Sequence, residues 1–258
     1  VIIKKFNYNL KESILFFSIL FLNPYIVRNH IFQPVQAHDM LFFCLSLIFA
    51  FTIIHKNYLS NLLATIVTIY LRQTSIALLI GSSIFLLINK KVKLFIILLF
   101  VYICSFLLIV KTGQFISANT FPINLAYGII YYDFNQIEKL IRFLLLGIMP
   151  FFPLIIILFG NINKNIKISS AIILLFVCLM MIGQPILAGP DGSVNNVGRI
   201  ANLCFPILAI FCFYVWNFQK FTKNNYLFYT FISGMFLWSL HPTFSIFKIF
   251  GILRFYNY

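Results

Sequence analysis

The chain has 258 residues, of which 62% are hydrophobic and 9% are charged, and 33 of them are phenylalanine. A soluble domain of this length cannot cover so much apolar surface, so the composition excludes a water-soluble globular protein and indicates an integral membrane protein. The net charge of +14 does not indicate a nucleic-acid partner, because the basic residues are scattered among short loops. Five cysteines lie within apolar runs and have no metal or redox spacing.

Apolar runs separated by Lys, Asn, Pro or Gly recur along the chain and predict serial transmembrane helices. We therefore expect an all-α fold, a polytopic transmembrane helical bundle that forms one domain over residues 1–258. The sequence starts at a valine without a signal peptide, and we expect it to be a fragment that lacks its N-terminal helices. The nine predicted crossings are residues 12–27, 39–54, 58–71, 73–89, 94–110, 143–159, 168–187, 200–217 and 226–240.

Residues 60–89 allow two interpretations, a single long helix or two helices that turn at Arg72-Gln73. A single helix would exceed the membrane core of about 30 Å and place Arg72 at mid-depth, which costs about 2.5–3.5 kcal/mol. It would also place Lys56 and the lysines of 90–93 on opposite faces of the membrane. A hairpin keeps these lysines on one face, as the positive-inside rule favours, and we therefore predict the hairpin.

The predicted topology places every arginine on one face of the membrane and most lysines on the other. Eleven lysines and no arginine fall on one face, which we interpret as cytoplasmic, whereas all five arginines fall on the outer face. Arginine presents a planar fork that binds phosphate or carboxylate through two hydrogen bonds, whereas lysine is a hydrated point charge. We therefore expect the functional site on the outer face, although interfacial arginines also serve simply to place their charge in water.

The first outer candidate is His38-Asp39, which follows Arg28 and directly precedes a predicted crossing. Asp39 can cap this helix and interact favourably with its dipole. Together with His38 it also supplies a carboxylate and a titratable imidazole at the membrane surface, the groups that general acid–base catalysis uses. Both interpretations stay open from the sequence.

The second outer candidate is the loop "AGPDGSVNNVGR" at residues 188–199. Its Pro-Asp-Gly turn contains Asp191, and Arg199 lies at the start of the next predicted helix. Small residues allow backbone amides to approach an anion, so the loop is able to bind a phosphate near a helix start. An ordinary solvated turn with an interfacial arginine explains the pattern equally well.

Three motifs together resemble the polytopic GT-C glycosyltransferases: "LNP" at 22–24, "AHDM" at 37–40 and "LRQTSIALLIG" at 71–81. The pattern is similar to that of the alpha-1,2-glucosyltransferases that complete the dolichol-linked oligosaccharide, and it covers about residues 20–85. The resemblance implies an enzyme that takes a sugar from a polyprenyl-phosphate carrier on the outer side of the membrane. The acceptor it implies is a lipid-linked or cell-surface glycan.

The resemblance also implies roles for individual residues. The family's principal general base lies in a first outer loop that should precede Val1, so Asp39, with His38, matches only a later outer acid. Arginines are expected to hold the carrier phosphate, and Gln73 is expected to contact sugar hydroxyls or the turn backbone. We predict no metal or cofactor, because the chain has five acids and no paired DxD motif. The predicted substrate-binding or phosphate-binding residues are Arg72, Gln73, Arg28, Arg199 and Asp191.

Other classes remain as alternatives. A transporter or flippase should line a path through the bilayer with polar groups, and a charge in a central cavity would favour it. Polar groups confined to an outer cleft would favour the transferase. An envelope glycan polymerase or ligase shares the outer arginines, and a structural membrane subunit is the fourth possibility. We expect a multi-pass protein of the bacterial inner membrane, because the abundance of Phe, Ile, Lys and Asn is typical of an AT-rich genome.

Overall fold

The computed structural model describes residues 7–22, 37–72, 74–111, 168–187, 203–211 and 219–239. Every regular element in these ranges is an α-helix, which confirms the prediction of an all-α protein. The helices are α1 (Leu10–Phe21), α2 (Ala37–Ile54), α3 (Tyr58–Ile69), α4 (Ser75–Ile88), α5 (Val92–Lys111), α6 (Ile168–Leu187), α7 (203–211), α8 (Gln219–Lys223) and α9 (Asn225–Ser239).

The hairpin predicted around Arg72 is confirmed. Helix α3 ends at Ile69, α4 begins at Ser75, and the two helices pack against each other. Elsewhere α2, α5, α6 and α9 lie within two residues of their predicted bounds. The short helix α8 was not expected, since the sequence predicted only a loop between two crossings. The predicted crossing at 143–159 lies outside the described residues.

The described helices differ in their ability to span a membrane. In this part of the chain only α5 contains a long enough apolar window, Val92–Ile109, with a mean hydropathy of 2.8. Helices α3 and α4 have 12 and 14 residues, or about 18 and 21 Å at 1.5 Å per residue, against a hydrocarbon core of about 30 Å. The number of crossings therefore stays a prediction.

Helix α3 lies among three neighbours, since it packs against α2, α4 and α5. Helix α4 also packs closely against α6, and Gly81 makes this approach possible. A Cβ atom at Gly81 would lie 2.3 Å from Cγ2 of Val177 and 3.1 Å from Cζ of Phe49. The core is otherwise built from buried aromatic and aliphatic side chains, whereas Phe100 and Leu107 on the far side of α5 are 69% and 60% exposed.

Helices α2 to α5 run alternately up and down, so the bundle has two ends with different charged groups. We call the end that carries Asp39 and the turn at 70–74 the arginine end. We call the other end, with the connections at 55–57 and 89–91, the lysine end.

At the start of α1, Lys11 donates hydrogen bonds to the carbonyl oxygen of Thr222 (3.4 Å) and to the side chain of Asn225, which joins α1 to α8 and α9.

Candidate functional site

The candidate site is an ion pair between Asp39 and Arg72 at the arginine end. Asp39 lies in the first turn of α2, where a negative charge interacts favourably with the helix dipole. The Nη1 atom of Arg72, in the turn between α3 and α4, donates a hydrogen bond to Oδ1 of Asp39. The Asp39 side chain is only 3% exposed and that of Arg72 is 18% exposed. A carboxylate buried to this extent requires a charged or hydrogen-bonding partner, and Arg72 is such a partner.

The antiparallel packing of α2 and α3 brings these two residues together. The helices are joined by the short connection at 55–57, and Asp39 and Arg72 lie at nearly equal distances in sequence from it. Closer to the connection, Nδ2 of Asn61 donates to Oγ1 of Thr52 over 3.1 Å. These two residues are also nearly equally far from the connection, so they show the same alignment of α2 and α3. The register of the helix pair therefore dictates the position of the ion pair.

The turn that carries Arg72 is fastened to α5 by two hydrogen bonds. The hydroxyl of Tyr70 donates to Oγ of Ser105 over 2.8 Å, and Oγ of Ser75 lies 2.9 Å from the hydroxyl oxygen of Tyr102. Within the turn, the amide of Ser75 donates to the carbonyl oxygen of Arg72 over 3.1 Å. The backbone on both sides of Arg72 is thus held by contacts to another helix.

A stripe of polar side chains runs along α3 towards Arg72. Asn61, Thr65 and Thr68 are completely buried, and their spacing places them on one face of the helix. Oγ1 of Thr65 lies 2.6 Å from Oγ of Ser82 on α4, whereas Asn61 bonds to Thr52 of α2, so the stripe lies between α3 and both neighbours. These residues were not among the predicted site residues, although their spacing of four and three on a predicted helix indicates a shared polar face. All of them are neutral.

The other predicted site residues have different outcomes. The side chain of His38 is exposed on α2, one residue before the buried Asp39. Arg28, Gln73, Arg199 and Asp191 lie outside the described residues.

The described ranges contain no cluster of three or more His, Cys, Asp or Glu side chains that could hold a metal ion. At the arginine end a guanidinium and a carboxylate are held side by side. A guanidinium binds phosphate or carboxylate oxygens, and a carboxylate accepts protons. The pair combines an anion-binding group with a proton acceptor in one place.

Comparison of the chain with known protein families, with characterised proteins and with solved structures finds no match.

Proposed function

We propose that this chain is an integral membrane glycosyltransferase of about nine crossings. It transfers a sugar from a polyprenyl-phosphate donor to a lipid-linked or cell-surface glycan acceptor, and the arginine end of the bundle faces the outer side of the membrane. The observation that carries the proposal is the ion pair of Asp39 and Arg72. The resemblance implies a later outer acid at Asp39 and a phosphate ligand at Arg72, 33 positions apart, and the two side chains lie in contact.

The transfer requires one group for each of two charges that develop. The bond between the anomeric carbon of the sugar and the phosphate oxygen breaks, and the phosphate leaves with the electron pair. A new bond forms between this carbon and a hydroxyl oxygen of the acceptor, which loses its proton. Arg72 stabilises the charge on the departing phosphate, and Asp39 is the carboxylate of the described site that is able to accept the proton.

The ion pair connects these two roles. As long as Arg72 binds Asp39, the carboxylate is held by the positive charge beside it. A donor phosphate competes for the same guanidinium, because phosphate and carboxylate oxygens match its donor geometry equally. Donor binding thus weakens the contact between Arg72 and Asp39 and leaves the carboxylate available for the acceptor hydroxyl.

The buried polar stripe favours a second candidate, a transporter or flippase for a lipid-linked or anionic substrate. Thr65 and Ser82 supply polar groups between α3 and α4, Asn61 supplies one between α3 and α2, and transport paths use such groups. In the described parts of α2 to α5, however, charged side chains lie only near the two ends of the helices. This distribution supports the transferase over the transporter. An envelope glycan polymerase or ligase would use the same pair at the arginine end.

A transfer assay in membranes tests the proposal. Membranes containing the chain are supplied with polyprenyl-phosphate sugars labelled in the sugar, and label is measured in the extracted glycan or lipid acceptor. We expect transfer by the wild type, a loss of about 100-fold or more in Arg72→Lys, because lysine cannot form the forked contact, and a similar loss in Asp39→Asn. The matched control is Lys111→Gln, which removes an exposed positive charge from the end of α5 and should leave the rate unchanged.

The outcomes separate the candidate functions. Full activity of Arg72→Lys would show that no bidentate phosphate contact is needed. Absence of label transfer from any donor, together with movement of the intact carrier across vesicle membranes, would replace the transferase by the flippase. Transfer should also persist after treatment with a metal chelator. If the chelator abolished transfer, the reaction would depend on a bound metal ion.

A further inference from the structure

The connections at 55–57 and 89–91, which we call the lysine loops, have the same backbone geometry. The amide of Asn57 donates to the carbonyl oxygen of Thr52 over 3.0 Å, and the amide of Lys91 donates to that of Leu86 over 2.9 Å. In both cases the hydrogen bond spans five residues at the end of a helix. This bond is characteristic of the Schellman motif, in which the residue after the helix adopts a left-handed conformation.

Lysine occupies the left-handed position in both loops. Lys56 has φ 52° and Lys90 has φ 56°. A left-handed backbone brings the Cβ atom close to the following carbonyl group, so glycine is the residue usually found there. The chain uses lysine twice where glycine would be unstrained. Strained backbone that recurs in this way is a reason to look for a role of the side chain.

The two loops form one continuous surface. The hydroxyl of Tyr58, just after the first loop, donates to Oδ1 of Asn89 in the second over 3.3 Å. The ammonium group of Lys91 lies 5.1 Å from the centre of the Tyr58 ring. Lys56, Lys90, Lys91 and Lys93 are all exposed, so four positive charges lie on these two neighbouring loops and the start of α5 at the lysine end.

The charges on this surface are not neutralised within the described part of the protein. Its two acidic residues are both engaged elsewhere, Asp39 at the arginine end and Glu12 in the capping box of α1. Among these residues neither carboxylate pairs with Lys56, Lys90 or Lys93. Exposed positive charges on neighbouring loops attract anions.

We propose that the lysine loops bind the phosphate headgroups of anionic phospholipids. The loops end apolar helices, so their ammonium groups lie where the helices leave an apolar environment, and lysines at this level gain energy from an anionic membrane surface. The backbone hydrogen bonds fix each left-handed lysine within its own loop, and the hydrogen bond from Tyr58 to Asn89 holds the two loops together. This surface is separate from the ion pair at the arginine end, and the proposal holds for a transferase and for a transporter alike.

The test uses the double variant Lys56→Gly/Lys90→Gly of the full chain, purified in a zwitterionic detergent. Midpoints of thermal unfolding are compared with added phosphatidylcholine and with added phosphatidylglycerol. We expect phosphatidylglycerol to raise the Tm of the wild type by about 2–4 °C for each contributing lysine. The glycine variant should have a Tm without lipid that equals or exceeds that of the wild type, since the strain is relieved, and it should lose about half of the shift, because two of the four lysines are removed. Lys111→Gln should keep the full shift.

Two results would overturn the proposal. If the glycine variant loses stability equally with and without anionic lipid, the lysines act on the carbonyl groups at the helix ends and not on a headgroup. If phosphatidylcholine raises the Tm as much as phosphatidylglycerol does, the surface does not select an anion. Soluble glycerol phosphate is the third arm, and a shift from it equal to that from the lipid would identify a site for free phosphate instead of a membrane surface.

Discussion

The two ends of the helical hairpin handle charge in opposite ways. At the arginine end, the buried Asp39 on α2 and the partly buried Arg72 after α3 bind each other. At the lysine end, Lys56 and Lys90 are exposed, and they occupy strained backbone positions. Charges at the first end therefore contribute to the fold itself, and charges at the second end interact with the surroundings. Variants at matched positions should separate these two behaviours.

The largest effect is expected from Arg72→Gln, which leaves the buried carboxylate of Asp39 without the positive charge beside it. Breaking a buried ion pair in this way destabilises a protein by about 3–5 kcal/mol. Asp39→Asn should cost less, because Arg72 is 18% exposed against 3% for Asp39 and its charge is partly solvated. The free energy of unfolding in mixed detergent micelles measures both changes.

The double variant Asp39→Asn/Arg72→Gln provides the internal control for this prediction. It removes both charges and should recover most of the stability lost in Arg72→Gln, because a neutral pair has no unpaired charge to bury. At the lysine end, Lys56→Gln should change the free energy of unfolding by less than about 0.5 kcal/mol. Equal losses from Arg72→Gln and Lys56→Gln would abolish the distinction between the two ends.

The second effect concerns Gly81, midway between the two ends, where α4 packs against α6. Gly81→Ala would place a Cβ atom 2.3 Å from a methyl group of Val177, whose β-branched side chain has few alternative rotamers. We expect a loss of about 1–3 kcal/mol in the free energy of unfolding. The additional substitution Val177→Ala should restore part of the lost free energy of unfolding.

Gly234 is the matched control for Gly81. It lies inside α9, and a Cβ atom there would meet nothing within 4 Å among the described residues. Gly234→Ala should therefore stabilise the protein by about 0.5–1 kcal/mol through the better helix propensity of alanine. If both glycine variants changed the free energy of unfolding by the same amount, the close approach of α4 and α6 would not explain why position 81 is a glycine.

The hairpin and the candidate residues of the arginine end could be predicted from the sequence in part. The turn at Arg72 followed from the energetic cost of a charge at mid-membrane and from the positions of the lysines. Asp39 and Arg72 were each predicted as site residues. Their contact was not predicted, because it depends on the register of α2 against α3. The short loop between those helices contained the signal: residues equally far from a tight connection of antiparallel helices become neighbours.

Other features depend on three-dimensional packing that no local pattern encodes. The left-handed conformation of Lys56 and Lys90 could not be predicted, since glycine or asparagine is the usual signal for it. The hydrogen bonds from Tyr70 and Ser75 to α5 join residues far apart in the sequence, and their partners Ser105 and Tyr102 lie in an apolar run that carries no sign of them. The catalytic roles implied by the resemblance stay predictions.

The third effect concerns the fastening of the arginine end to α5. Tyr102→Phe removes the partner of the buried Ser75 hydroxyl and should cost about 1 kcal/mol. The amides of residues 72–77, which cover the end of the turn and the start of α4, should exchange their hydrogens faster. Hydrogen–deuterium exchange of the full chain measures this.

Tyr58→Phe is the matched change at the lysine end. It removes a longer hydrogen bond of 3.3 Å to a partly buried partner, and it should leave exchange at 72–77 unchanged. Faster exchange of the turn in both variants would mean that the two ends are mechanically coupled and not independent.

The smallest effect is expected between the two ends, in the hydrogen bond of Thr65 with Ser82. Hydrogen bonds between helices in membranes contribute about 0.6 kcal/mol on average, because the unfolded chain in the membrane finds other partners. A double-mutant cycle of Thr65→Ala and Ser82→Ala should give a coupling energy near this value, well below that of Asp39 and Arg72. Because both side chains are neutral and engaged with each other, either alanine variant should leave the proposed glycosyl transfer intact. Loss of function in these variants together with unchanged stability would instead favour a substrate path along the stripe, and with it the transporter.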